Sequence, residues 1–181
     1  DMFCLQNNVP VGEEFIAEVV ARILKLDERT IVRQLGTLLN RQHDLVQSQG
    51  TRWFGEQRLS FYRFRHILFQ HYLSQTTDQG ERLYLHEDIG TKLEHYYHGQ
   101  TEQVAVQLAL HFRKAGLTSK ALEYLQKAAE QANKRLAFRE AIGFFDNALA
   151  LIREQSATEK WKKLQTRLQL ALAEAQYKTG Q

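Results

Sequence analysis

Two cations and a histidine, Arg63, Arg65 and His66, meet at the junction within one short stretch, Tyr62-Arg63-Phe64-Arg65-His66-Ile67-Leu68-Phe69-Gln70-His71-Tyr72-Leu73. Up to Arg65 the stretch alternates, with Phe61, Arg63 and Arg65 on one side and Tyr62 and Phe64 on the other. From His66 the apolar residues Ile67, Leu68, Tyr72 and Leu73 follow a helical period. Guanidinium and imidazole groups at a helix start are hydrogen-bond donors placed where the helix dipole is already positive. This junction is where the sequence places a candidate site.

Other chemistry-bearing residues form no second constellation. His66 and His71 are five apart, about 140 degrees round a helix, and cannot share a face. His95 and His98 could, but no His-Glu-x-x-His and no third ligand accompanies them, so no metal site is expected. Cys4 is the single cysteine, which excludes an internal disulfide and a cysteine-based zinc cluster and fits a reducing cytoplasm. The phosphate-cradling patterns Gly-x-x-x-x-Gly-Lys-Ser/Thr and Gly-x-Gly-x-x-Gly are absent from the sequence. The acidic pairs Asp27-Glu28 and Glu87-Asp88 read as hydrated neighbours on helices. His95-Tyr96-Tyr97-His98 reads as cover for the seam between two domains, and Lys160, Lys162 and Lys163 around Trp161 as a solvated helix face. No catalytic residues are expected.

The elements that must position the junction follow from periodicity. Gly12 to Leu24 predicts a helix with Phe15, Val19, Val20 and Ile23 on one face and Glu13 and Glu14 in its first turn. Asp27 to Gln42 predicts a second, capped by Asp27 and striped by Ile31, Leu35, Leu38 and Leu39. Leu45 to Gln49 and Leu59 to Phe64 predict a hairpin with a long tip around Gly50, Arg52, Trp53, Phe54 and Gly55. Arg65 to Gln75 and Asp78 to Tyr97 predict two further helices, the last with Leu85, Ile89 and Leu93 in line. Helix, helix, hairpin and helix is the content of a winged-helix domain with an extra helix behind it.

Charge and composition change near Gly99. Residues 1–99 hold 11 Lys and Arg against 13 Asp and Glu, while residues 100–181 hold 13 against 8. Six of the seven histidines precede Gly99, and most alanines follow it. The acidic first half lacks the clustered basic face that phosphate binding requires, which argues against a nucleic-acid partner. No apolar run approaches the ~20 residues of a membrane span, so no membrane partner is expected and the location is read as cytoplasmic. Asp1 at the start suggests a piece of something longer, and residues 1–10 form a leader without assignment.

Beyond Gly99, Gln103 to Ala115, Thr118 to Arg135, Phe138 to Arg153 and Lys160 to Lys178 are predicted helices, with Gly116 and Gly180 as stops. Ala121-x-x-x-Leu125-x-x-Ala128 and Ala141-x-x-x-Phe145-x-x-Ala148 resemble tetratricopeptide repeat (TPR) units. They start 20 residues apart rather than the family's 34, so the middle helix must serve two neighbours.

Val11-Gly12-Glu13-Glu14-Phe15, Arg41-Gln42-His43-Asp44-Leu45-Val46, the Tyr62–Leu73 stretch, Leu85-His86-Glu87-Asp88-Ile89-Gly90 and the alanine-rich helices together resemble one family. They look like the region after the ATPase core in bacterial STAND-type signal-transduction ATPases of the AAA kind. Such proteins join that core to a cyclase, a kinase or a transcriptional activator.

The resemblance implies a mainly α protein: residues 11–98 a winged-helix domain with an extra C-terminal helix, residues 99–181 TPR-like helical repeats. It implies a non-catalytic regulatory fragment, with ATP or ADP and magnesium belonging to the parent protein and none to the fragment. Its partners would be an upstream ATPase domain in cis and a protein or small-molecule effector on the repeats. His66, with Arg65 beside it, would contact the phosphate of ADP in the full-length protein; the other reading of His66 is that it satisfies a buried carbonyl. Two alternatives stand beside this one: a winged-helix DNA-binding transcriptional regulator with a helical oligomerisation tail, and a TPR adaptor.

Overall fold

The structure is a computed structural model and describes residues 14–54, 57–65, 78–156 and 158–180. It is mainly helical with a small three-stranded antiparallel sheet, and it divides into two compact units, Asp1–Gly99 and Gln100–Gln181.

The first unit opens on a strand where periodicity predicts a helix. β1 is Glu14–Ile16, and only Ala17–Ile23 forms helix α1. The Phe15 and Val19 spacing fits a helix, but Phe15 is drawn into register opposite Tyr62, and its ring lies 6.1 Å from Tyr62 and 5.1 Å from Phe64. Cross-strand aromatic pairing on a ready-made edge outweighs a weak local helical preference.

Helix α2 is Glu28–Gln34, and its Asp27 cap forms as expected. Asp27 accepts hydrogen bonds from the Thr30 amide (2.8 Å) and hydroxyl (3.0 Å), which hold its carboxyl below the usual carboxylate range. The expected α-helix then widens into a π-helical stretch, Leu35–Gln42, in which the His43 amide reaches back to the Leu38 carbonyl. One buried residue, Leu35, anchors this stretch, so little packing holds it to the tighter helical turn.

β2 is Val46–Phe54 and β3 is Gln57–Phe64. The expected long tip is mostly ladder: Thr51, Arg52, Trp53 and Phe54 pair with Ser60, Leu59, Arg58 and Gln57. Gly50, expected in the tip, sits at a register shift after Ser48 with a φ of +89°, a conformation that costs a glycine little. The sheet order is β1-β3-β2. As the central strand, β3 is buried continuously from Leu59 to Tyr62 rather than alternating. Ala17, Ala21, Ile31, Leu35, Val46 and Tyr62 form the core between α1, α2 and the sheet. The expected helix from Arg65 to Gln75 falls outside the described residues beyond its first residue. Helix α3, Gln79–Tyr96, is capped by Asp78, which accepts from the Gly80 amide at 2.8 Å. Leu93 of its predicted stripe is buried, whereas Leu85 is 37% exposed.

The second unit is a run of antiparallel neighbours. A short 3-10 turn, Thr101–Val104, leads into α4 (Ala105–Lys114), followed by α5 (Thr118–Lys134), α6 (Phe138–Arg153) and α7 (Glu159–Thr179). α5 packs against both α4 and α6, and α7 packs against α6. Ala121, Leu125 and Ala128 and the corresponding Ala141, Phe145 and Ala148 are all buried; small residues there allow close helix approach while the larger ones fill the gap.

The α4–α5 and α5–α6 corners share one backbone device. At the first, the Leu117 amide donates to the Phe112 carbonyl and the Gly116 amide to that of Arg113; at the second, Ala137 donates to Ala132 and Leu136 to Asn133. Both are Schellman caps that need a left-handed residue. Gly116 supplies it at φ +75°, but the second corner forces Leu136 to φ +61° with its side chain 74% exposed. Leu136→Gly removes strain and little packing. The expected result is a gain of about 0.5–1 kcal/mol, seen as a melting temperature a few degrees higher. An unchanged or lower melting temperature would refute it.

Candidate functional site

Arg65 directly follows β3, and its position follows from the hairpin's base. Its backbone amide donates to the Leu45 carbonyl at 3.0 Å, and its Nε lies 2.7 Å from Asp44 Oδ1 in an ion pair. Asp44 is held at φ +53°, turning the chain from the π-helical stretch into β2. Arg65 therefore ties the start of β2 to the end of β3. Both side chains are substantially solvent-exposed, so the pair contributes at most about 1 kcal/mol. His66 and His71 lie outside the described residues.

A cation of the hairpin is similarly engaged. Arg52 Nη2 donates to Glu14 Oε1 at 3.0 Å and its guanidinium lies 4.2 Å from the centre of the Phe61 ring. Arg58, in contrast, is exposed opposite Trp53, which is 69% exposed. Arg29, Arg33 and Arg41 are exposed on α2 and the π-helical stretch. Glu14 and Asp44 thus each hold one cation of the hairpin region, Arg52 and Arg65, in a partly exposed ion pair. No pattern local to the sequence reveals the Arg52 pair, because its partners are 38 residues apart.

A polar cluster that periodicity did not single out lies under α1. Glu18 is buried, and its carboxyl accepts from the Ser60 amide at 2.8 Å. β1 stops at Ile16 opposite Phe61, so the Glu18 side chain, two residues beyond the strand, takes over the pairing of the next β3 residue, Ser60. Nearby, Arg22 Nε donates to Glu28 Oε1 at 3.3 Å and its guanidinium stands 4.6 Å from the centre of the Tyr96 ring. The Tyr96 hydroxyl in turn donates to Glu28 Oε1 at 3.4 Å. The one hint in the sequence is an acid inside the otherwise apolar run Ala17-Glu18-Val19-Val20-Ala21.

Tyr96 and Tyr97 are both buried and belong to the first unit. Glu28, expected to be simply hydrated, is a partner of Tyr96. Burial, reinforced by Glu28 and opposed by Arg22, pushes the Tyr96 phenol up to about 12; burial, opposed by Arg52, pushes Tyr97 up to about 12 as well. Burial and then Glu18 also raise Tyr62, whose hydroxyl donates to the Val32 carbonyl at 3.3 Å. A raised phenol pKa means the folded chain keeps protons that the unfolded chain releases, so this stability is complete below the ordinary value near 10 and is lost between pH 10 and 12. Alkaline unfolding of the first unit should therefore begin above pH 10, and Tyr96→Phe with Tyr97→Phe should flatten that limb. Equal slopes in wild type and double variant would refute it.

In the second unit, Leu136, Ala137, Phe138, Arg139, Glu140 and Thr179 line a concavity of about 400 Å3. Glu140 forms a loose ion pair with Arg135 at 3.7 Å, and Lys178 Nζ lies 5.6 Å from the centre of the Phe138 ring. No nucleophile with an adjacent base lines it. Among the described residues no group of three or more His, Cys, Asp and Glu could hold a metal ion, and no helix is long and apolar enough to cross a membrane. His95 and His98 are both exposed. Cys4 is outside the described residues.

The geometry is that of mutually satisfied groups joining secondary-structure elements, with Arg65 as the described half of the junction singled out from sequence. Comparison of the chain with protein-family models, with curated proteins and with solved structures finds no match.

Proposed function

We propose that the chain is a non-catalytic regulatory fragment of a STAND-type ATPase, in which a winged-helix unit relays to a nucleotide switch what a TPR-like unit senses. The observation that carries this reading is the juxtaposition of two differently built units. The first combines two helices, a hairpin with the Arg65 corner at its base, and helix α3; the second is a helix array with buried Ala121/Leu125/Ala128 and Ala141/Phe145/Ala148 layers. An array of this kind offers extended surface for a protein or small effector, and a switch requires a partner with different affinity for two states. ATP or ADP with magnesium would sit on an ATPase domain in cis, with His66 reaching a phosphate and Arg65 setting the corner that presents it.

The test uses the full-length protein. His66→Ala should weaken ADP retention or raise basal output, while purified residues 1–181 should hydrolyse no ATP above background. Unchanged ADP release would return His66 to a structural role; turnover by the fragment would overturn the non-enzyme reading. Absence of a P-loop in the full-length protein would end the proposal.

The alternative of a DNA-binding winged helix draws on the exposed Trp53, Arg58, Arg29, Arg33 and Arg41. A gel shift on arbitrary duplex DNA that weakens steeply with salt would favour it. The third reading, a TPR adaptor, predicts a protein partner bound by residues 100–181 without any nucleotide dependence.

A further inference from the structure

The outer face of α7 carries Lys160, Lys163, Arg167, Leu170, Glu174 and Tyr177, all exposed, at successive steps of three and four residues. That spacing is a heptad seam running the length of the helix. The side opposite is buried at Leu168 and Ala175. The seam is electrostatically unbalanced within one chain. Three cations occupy the half nearest the positive end of the helix dipole, where cations are disfavoured. Among the described residues none of the three makes an ion pair, although Lys160 Nζ lies 4.9 Å from the centre of the Trp161 ring. Glu174, in the other half, likewise makes no ion pair among the described residues. Leu170 is 64% exposed and Tyr177 85%.

We propose that this seam is an interface between two copies of the chain, formed by antiparallel pairing of α7 with α7. The steps three, four, three, four, three read the same from either end. A two-fold axis between Arg167 and Leu170 therefore sets Lys163 against Glu174 of the second copy, Arg167 against its Leu170, and Lys160 against its Tyr177. Each contact occurs twice, as a two-fold interface requires. Lys163 and Glu174 acquire opposite charges, the aliphatic stem of Arg167 covers Leu170, and Lys160 meets an aromatic face. A second copy fits better than a nucleic acid, because Glu174 would repel phosphate and Leu170 has no use for it. One helix pair buries less than a standard interface, so the dimer is weak, with dissociation in the micromolar range or above.

Sedimentation of the 181-residue chain tests this directly. From about 5 to about 200 μM the average mass should rise from the 21.1 kDa of one chain toward that of two. Lys163→Glu and Glu174→Lys should each weaken association at least about tenfold, and the double exchange should restore it to within about threefold of wild type. Both positions are exposed, so circular dichroism and melting temperature should stay at wild-type values. A wild-type chain that remains monomeric throughout, reversals without effect, or a double exchange as weak as the singles would each overturn the proposal. So would a monomer whose Glu174→Lys variant binds duplex DNA more tightly, which would assign the face to nucleic acid.

Discussion

Phe112→Ala should cost the second unit about 3–5 kcal/mol, the largest effect expected of any single substitution named here. Phe112 is fully buried on α4, its ring lies 5.7 Å from that of Tyr124 in a stacked arrangement, and Lys120 Nζ lies 4.4 Å from its centre. Truncation would leave a cavity at the contact between α4 and α5, beside Leu108 and Leu122, which are themselves fully buried. Rigid helices joined by short capped corners cannot collapse into such a space without losing their alanine layers. The two tryptophans fall in different units, Trp53 in the first and Trp161 in the second. Urea unfolding followed by Trp161 fluorescence in a Trp53→Phe background thus isolates the second unit. Its midpoint should move sharply to lower urea with the slope unchanged. A shift worth less than about 1 kcal/mol would mean that α4 is not part of the cooperative core.

Glu18→Ala should destabilise the first unit by about 1–3 kcal/mol, because it leaves the Ser60 amide buried without an acceptor. Glu18→Gln keeps an acceptor in the same place and should cost less. The two variants also carry a spectroscopic signature. Glu18 helps raise the phenols of Tyr62 and Tyr96, so either substitution should lower both titration midpoints, Gln included, even though Gln retains much of the stability. Ultraviolet titration of tyrosinate absorbance reads this. If Ala and Gln prove equally costly, or if neither moves the tyrosine titration, Glu18 does not act as a pairing group in the core.

Much of the local grammar was readable from residue types. Asp27 and Asp78 start helices because a short carboxylate can accept an orphan amide of the first turn, and Gly116 ends one because the corner needs a left-handed residue. The buried alanine layers of α5 and α6 were visible as spacings, since close helix approach depends on small side chains at fixed offsets. Leu136 shows the limit of that grammar: the same corner as at Gly116 forms around a residue no turn rule would choose, because the flanking helices and two backbone hydrogen bonds dictate it.

The errors at Glu14–Ile16 and around Gly50 have a common cause. Phe15 satisfies both a helical and an extended pattern, and only the presence of β3 alongside decides between them. Gly50 signals a turn or a bulge equally well, and strand register chose the bulge. Around Arg65 the sequence showed the alternation of the strand, but the engagement of Arg65 with Asp44, and that of Arg52 with Glu14, depends on which acids the fold brings near.

By itself the sequence determined that this is a mainly helical chain with a small hairpin, where most of its helices begin and end, and which alanines meet in its second half. Those properties depend on hydrogen bonds and spacings a few residues long. Only the tertiary structure decided that β3 would be a central strand, that Glu18 would pair with a buried amide, that Tyr96 and Tyr97 would be buried in the first unit, and that Arg52 and Arg65 would be ion-paired. Each of these depends on partners distant in the chain, whose meeting is set by the packing of the whole core rather than by either residue's own type.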